Sequence, residues 1–448
     1  MGPSFAAKEF KALYDEKCDN YVVILYGSLA ATGKGHMTDV AIENELKPKK
    51  VAFIWKPNET LTFHVNGMTI KAMKGEAEVG QETYYSVGGG AIITDSELEK
   101  CKGPYKKTFS PVYSLSTMNG IMRWCRKTGL KICDMVYESE GEGIREYLTE
   151  VWNTMSRCVS IGLEGKGVLP GGLNLPRKAH DMYRAAQRSN EMISHNAYLF
   201  AYALAVAENN AGGEVVVTAP TCGACGIVPG VLYYMRHHNP DVTDDDIIDA
   251  LAVAGVIGDL AKVNASISGA EAGCQAEVGV ACAMAAGAAT FLMGGSTEQI
   301  EYAAGMAIEH MLGLTCDPVK GLVQVPCIER NAMAAGRALE CAEYALMTNT
   351  FHLISYDEVL MTMILTGEDI EDSLRETSRA GLAQTYNLDD MARKQRLQEL
   401  KSQLMGLKRR GSISMKWGDE NATENADESD VSSGIIDLNH SSTSDLFV

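Results

Sequence analysis

Between Val278 and Gly295 the chain carries no charged side chain, and Ala and Gly dominate the stretch. A segment of that length and polarity belongs either in a bilayer or in the middle of a protein. Its flanks point to the second. Glu277 and Glu298 stand at its ends without the Lys or Arg that anchor a membrane span. A helix that is apolar all round must be enclosed by other elements, so the sequence predicts a fully buried helix within a helical domain and no membrane partner.

The rest of the chain supplies those elements. Residues 20–95 alternate short β-rich runs, Tyr21–Tyr26, Val51–Trp55, Leu61–Val65 and Tyr84–Thr94, with Gly and Asn turn signals. After Pro111 the periodicity changes. Ile144, Leu148, Val151, Met155 and Cys158 recur at spacings of four and three, which predicts an amphipathic helix. Similar patterns cover 195–208, 244–262, 297–311, 331–347 and 356–365. The expected fold class is α+β: a small N-terminal α/β domain over 1–105, a larger, mostly helical domain over 106–388, and a third region over 389–448. That third region begins with a helix, Asp389–Arg410, carrying seven Lys or Arg, and continues without either from Trp417 onward, a composition that predicts a disordered acidic tail. Arg409-Arg410-Gly411-Ser412 has the pattern of a basophilic kinase site or of a solvated basic helix end.

A formal net charge of −18 with no basic face in the first 390 residues excludes nucleic acid as an expected partner. Twelve cysteines without the spacing of a small disulfide framework suit a reducing compartment, and no secretory signal opens the sequence, so the cytoplasm is expected.

Three of those cysteines stand apart. Cys274 in Ala-Gly-Cys-Gln, Cys316 in Leu-Thr-Cys-Asp-Pro and Cys327 in Val-Pro-Cys-Ile-Glu-Arg sit among Gly, Glu and Asp rather than in plain apolar runs. Three thiolates can hold an iron–sulfur cube by three corners and leave one iron open to a substrate. Cys-x10-Cys with a distant third member matches no tight ferredoxin or zinc-knuckle spacing, and buried cysteines often only pack. Spacing alone leaves both readings open.

The surrounding sequence narrows them. From Ile257 the chain reads IGDLAKVNASISGAEAGCQAEVGVACAM, then GLTCDPVKGLVQVPCIERNAMAA, and elsewhere TAPTCGACGIVP, GVLPGGLNLPR, YGSLAATGKGHMTD and TYYSVGGG. Together these closely resemble the iron–sulfur-dependent L-serine dehydratases of the single-chain type, in the same order and over residues 1–383. The resemblance implies an N-terminal domain like the allosteric substrate-binding domain of that family, a helical catalytic domain, and Cys274, Cys316 and Cys327 as ligands of a [4Fe-4S] cluster. It also implies β-elimination of L-serine to pyruvate and ammonia, with a homodimer as the expected assembly. There are departures. A Ser-Ser-Ser-His-Thr segment precedes the family's Gly-Pro, which here is Gly2-Pro3, so an earlier start or weak activity is expected. Gly381-Leu382-Ala383 leads into a Cys-free extension where similar chains carry a terminal-region Cys, and Cys222 stands where they carry Asn.

Elimination of water from a 2-amino-3-hydroxy acid needs a base for the Cα proton and help for a poor leaving group. His36, in Gly-Lys-Gly-His-Met-Thr-Asp, is the candidate base, because imidazole titrates near neutrality and the glycines allow close approach. The resemblance points to the same residue. The Gly and Lys spacing around it does not make a phosphate loop, since Gly35 follows Lys34 where Ser or Thr is required. Thr218, Thr221, Asn264, Ser266, Ser268 and Gly269 offer hydroxyls, an amide and backbone donors for a substrate carboxylate and ammonium. Glu271, Glu277, Asp317 and Glu329 are candidates for tuning the thiolates. The alternatives are a serine-binding relative that has lost turnover, and a pyridoxal-phosphate dehydratase using Ser86-Val87-Gly88-Gly89-Gly90 and Lys262.

Overall fold

In the computed structural model, residues 2–87, 90–100 and 112–386 are described, together with Gln398 and Ser402. The N-terminal sheet has five strands in the order β2-β1-β3-β4-β5: β1 Asn20–Tyr26, β2 Lys50–Lys56, β3 Gly67–Lys74, β4 Ala77–Ser86 and β5 Ile92–Thr94. β1 pairs with β2 in parallel and with β3 antiparallel, and the remaining pairs are antiparallel. Alternation along β1 places Tyr21, Val23 and Leu25 inside, against Phe10 of the Gly2–Tyr14 helix and Ile42 and Leu46 of the Thr38–Leu46 helix. This gives the sheet one helix-covered face, as an antiparallel-rich sheet requires.

The expected strand Leu61–Val65 is absent, and the strand lies just beyond it as β3. Apolar alternation in that stretch serves a loop instead. Leu61 covers Gly67, where a Cβ would fall 2.6 Å from its Cδ1, Phe63 packs edge-on against Tyr85 at 5.0 Å, and His64 turns toward the helical part.

The uncharged run forms a π-turn, Gln275–Gly279, continuing into the helix Val280–Leu292. Although Gln275–Leu292 has the length and composition of a membrane span, 83% of it is buried in the protein. Around it pack the helices Ile227–His238, Asp244–Asn264, Thr297–Glu309 and Cys327–Met347. Small residues make that packing possible: a Cβ on Gly287 would meet Ile257 Cδ1 at 2.2 Å. The Glu191–Gly212 helix forms a second centre, flanked by Gly143–Glu164, Ala179–Ala186 and Ile227–His238. The α+β architecture is therefore as expected, a small mixed sheet followed by a larger helical assembly.

Residues 1–387 cluster as one unit and 388–448 as another. Of the second, Gln398 and Ser402 are helical, with Ser402 Oγ donating to the Gln398 carbonyl at 2.9 Å. The acidic tail, the Arg409–Ser412 motif, and Gly88 and Gly89 lie outside the described residues.

Candidate functional site

Each thiol of the triad is presented by a break in helical structure. Cys274 caps the π-turn Gln275–Gly279, a local widening that recurs at functional sites. Cys316 lies in the loop between the Thr297–Glu309 and Cys327–Met347 helices, and Cys327 is the first residue of the latter. All three are buried, at 3%, 4% and 8% exposure. Cys274, Cys316 and Glu277 bring their ligand atoms within 4.8 Å of one another, and both thiols donate to Glu277 Oε2 at 3.8 Å. Burial raises the Cys327 thiol well above its ordinary range, and for Cys316 the bond with Cys274, followed by burial, does the same. Burial likewise raises the Glu277 carboxyl. Protonated thiols packed around an acid are a costly arrangement for a plain core. Deprotonation by a soft cation would resolve it.

Space for such a group is built into the backbone. A Cβ on Gly269 would lie 2.5 Å from Glu277 Oε2 and 3.2 Å from Cys316 Sγ. A cavity of about 270 Å³ opens beside the thiols and is lined by His36, Thr218, Thr221, Ser268, Gly269, Cys316 and Cys327, with Glu277 and Glu376. Soft donors beside a cleft that also carries hydroxyl and carboxyl side chains fit an iron–sulfur cluster with a reactant beside it.

Two sequence candidates stand elsewhere. Asn264 Nδ2 donates to the Ser116 carbonyl at 2.7 Å, away from the lining residues. Ser266 donates to Glu271 Oε2 at 2.5 Å and accepts from the Ser268 N–H at 3.0 Å, so it holds the loop that carries Ser268. Lys262 is exposed on its helix and is not among the lining residues. Cys222 and Cys225 form a C-x-x-C in sequence but divide in the fold, with Cys222 at the cavity and Cys225 in the apolar core.

The four acids near the triad have different partners. Glu277 touches the thiols. Asp317 braces the Cys316 loop, accepting from the Leu382 N–H and facing Arg330 at 3.8 Å, while Arg330 donates to the Thr315 carbonyl at 2.7 Å. Glu329 makes an exposed pair with Lys178 at 2.5 Å. Glu271 bonds to His64 Nε2 at 2.7 Å; although burial raises its carboxyl, the bonds from His64 and Ser266 hold it below its ordinary value.

His36 reaches the cavity from the turn after the Gly27–Thr32 helix. Gly35 packs there so tightly that a Cβ would lie 2.1 Å from the Gly321 carbonyl oxygen, which fixes the turn against the segment between Cys316 and Cys327. His36 Nδ1 faces Glu376 Oε1 at 3.8 Å, and its buried Nε2 has no hydrogen-bond partner among the described residues. Both groups line the cavity. Burial lowers the His36 pKa to about 4, and burial, with Glu277 nearby, raises Glu376 to about 8. Glu376 and His64 escaped sequence reasoning. Neither sits in a pattern that marks chemistry, and each is brought to the site by contacts across long sequence separation.

Comparison with known proteins gives a consistent result. The sequence model of the serine dehydratase alpha chain matches residues 65–383. The L-serine dehydratase of Haemophilus influenzae is 40% identical over 433 residues, which cover 86% of this chain and 94% of the relative. L-serine dehydratase 1 of Escherichia coli shows the same identity and coverage. The L-serine dehydratase of Streptomyces coelicolor is 41% identical over 430 residues, again with 86% and 94% covered.

Proposed function

The chain belongs to the serine dehydratase family, and on that premise we propose that it deaminates L-serine to pyruvate and ammonia at a [4Fe-4S] cluster held by Cys274, Cys316 and Cys327. The observation that carries this reading is the burial of Cys274 and Cys316 against Glu277, beside a cavity lined by Cys316, the buried Cys327 and His36. When bound, the cluster would supply Lewis acidity at a corner lacking a fourth thiolate, which is what a hydroxide leaving group needs.

The protein's own groups divide the remaining work. Thr218, Thr221 and Ser268 place hydroxyls along the cavity wall, and Gly269 lets the backbone approach the thiols, an arrangement suited to a small zwitterion with a carboxylate and an ammonium. His36 takes the Cα proton on Nε2, the ring nitrogen with no partner among the described residues. A lowered pKa keeps that nitrogen unprotonated and ready to accept. Residues of both the N-terminal part and the helical part line the cavity, so the reactant would sit between them. The enamine released by elimination tautomerises and hydrolyses without further demand on the protein. Every described cysteine is free of disulfide bonds, which accords with a reducing cytoplasm.

The test is His36→Asn in the anaerobically prepared protein. Iron content should match the parent while serine turnover falls about a hundredfold or more, the usual scale for a general base. Normal turnover in the variant would remove His36 from the mechanism.

A further inference from the structure

We infer that Glu376 is a positioning residue for His36: its carboxyl group, with Oε1 facing Nδ1, holds the imidazole so that Nε2 points into the cavity. This rests on the proposed role of His36 and adds a residue to it. Glu376 Oε1 lies 3.8 Å from Nδ1, and the opposite ring nitrogen is the buried atom without a partner. A carboxyl oxygen accepting at one imidazole nitrogen selects the tautomer and the ring plane for the other. The separation exceeds a direct hydrogen bond, as separations between catalytic groups often do before the reactant is bound.

The backbone shows how firmly Glu376 is placed. Its φ of 56° lies in the left-handed region, an unfavourable conformation for a residue with a Cβ. Such strain persists only where the surroundings impose it. Here they grip both sides of the residue. The Glu376 N–H donates to the Cys316 carbonyl at 2.6 Å, and the Glu376 carbonyl accepts from Ser28 Oγ at 3.0 Å. Just upstream, the Cys316 N–H donates to the Leu374 carbonyl at 2.8 Å. Ser28 and His36 belong to one short segment, since the His36 N–H donates to the Thr32 carbonyl and Thr32 Oγ1 donates to the Ser28 carbonyl, each at 2.9 Å. One residue therefore ties the loop of a thiol ligand to the segment presenting the base, with its side chain aimed at that base.

The experiment compares the parent holoenzyme with Glu376→Gln, Glu376→Asp and Glu376→Gly, the last relieving the left-handed backbone should the others fold poorly. With iron content and KM held near the parent's, kcat should fall about tenfold or more in the Gln and Gly variants. The Asp variant should recover part of that loss. The isotope effect with serine deuterated at Cα should rise as proton removal slows. Crystal structures of the variants give a readout independent of turnover, in which the His36 ring should rotate from its parental orientation. Parental kcat in Glu376→Gln, or an unmoved imidazole in Glu376→Gly, would overturn the inference while leaving the serine dehydratase reading intact. Loss of iron in all three variants with an unchanged isotope effect would also overturn it, showing that the residue only holds the Cys316 loop. A parent protein that does not turn over serine would instead sink the underlying function.

Discussion

His64 and Glu271 join the sheet to the helical assembly through one bond, with His64 Nε2 donating to Glu271 Oε1 at 2.7 Å. The Asn66 N–H donates to His64 Nδ1 at 3.0 Å, which places the ring proton on Nε2. Glu271 in turn accepts from Ser266, and Ser266 accepts from the Ser268 backbone at the cavity wall. Half-buried polar chains of this kind fix geometry best while every member is satisfied.

His64→Ala should leave Glu271 short of a donor and loosen the Ser268 loop. Serine turnover should drop about tenfold to a hundredfold, the scale seen when a supporting partner of a metal site is removed, with iron content close to the parent's. Steady-state kinetics with an iron assay on the same sample checks this, and parental kinetics would show that the bond does not transmit to the cavity.

Replacing Cys274, Cys316 or Cys327 by Ala should each cost both iron and activity, because two thiolates hold a cluster poorly. Cys282 and Cys341 offer the control. They are buried at 0% and 2% exposure, and Cys282 Sγ donates to the Ala334 carbonyl at 3.3 Å. Cys282→Ala and Cys341→Ala should keep their iron. Iron retained by all three ligand variants would overturn the ligand assignment.

His36 and Glu376 should tilt the pH dependence of stability in opposite directions. The His36 pKa falls from 6.5 to about 4 on folding, so between these values the unfolded chain holds more protons and stability drops as pH falls. Glu376 rises from 4.5 to about 8, so over that window the native chain holds more protons and stability drops as pH rises. Urea unfolding of the cluster-free chain across this range should therefore show a flatter alkaline decline for Glu376→Gln and a weaker acid decline for His36→Asn. Profiles parallel to the parent's would show that neither group titrates as its burial implies.

Gly35→Ala should force the His36 turn away from Gly321, since the added methyl would sit 2.1 Å from a backbone oxygen. The cost should be about 1–3 kcal/mol of stability, as for other overpacked sites. It should appear as a lower midpoint of thermal unfolding together with reduced turnover. An unchanged midpoint would show that the two loops separate freely.

Much of the helical part was legible in sequence because its signals are local. The spacing of Ile144, Leu148, Val151, Met155 and Cys158 became the Gly143–Glu164 helix, and the uncharged run became the buried helix at the centre. Ile227–His238 was hidden by Pro229. Proline is tolerated there because it occupies the first helical turn, where N–H groups have no intrahelical acceptor. Cys274, Cys316, Cys327 and His36 stood out by their glycine- and acid-rich settings and by the family resemblance, and the fold sets Cys274 and Cys316 against Glu277 and brings His36, Cys316 and Cys327 to one cavity. Glu376 did not stand out, because its significance comes from Cys316 and Ser28, which are distant in sequence and close only after folding. Asn264 and Ser266 mark the complementary difficulty: their residue types suit a ligand, and the fold uses them to hold a loop.

The most direct measurement is iron and acid-labile sulfide per chain in the anaerobically purified protein, made alongside serine-dependent formation of pyruvate. The expected result is about four iron and four sulfide per chain, with pyruvate appearing in proportion to cluster content. Serine turnover by protein free of iron and sulfide would contradict the cluster chemistry, and a fully loaded protein that produces no pyruvate from serine would contradict the proposed reaction.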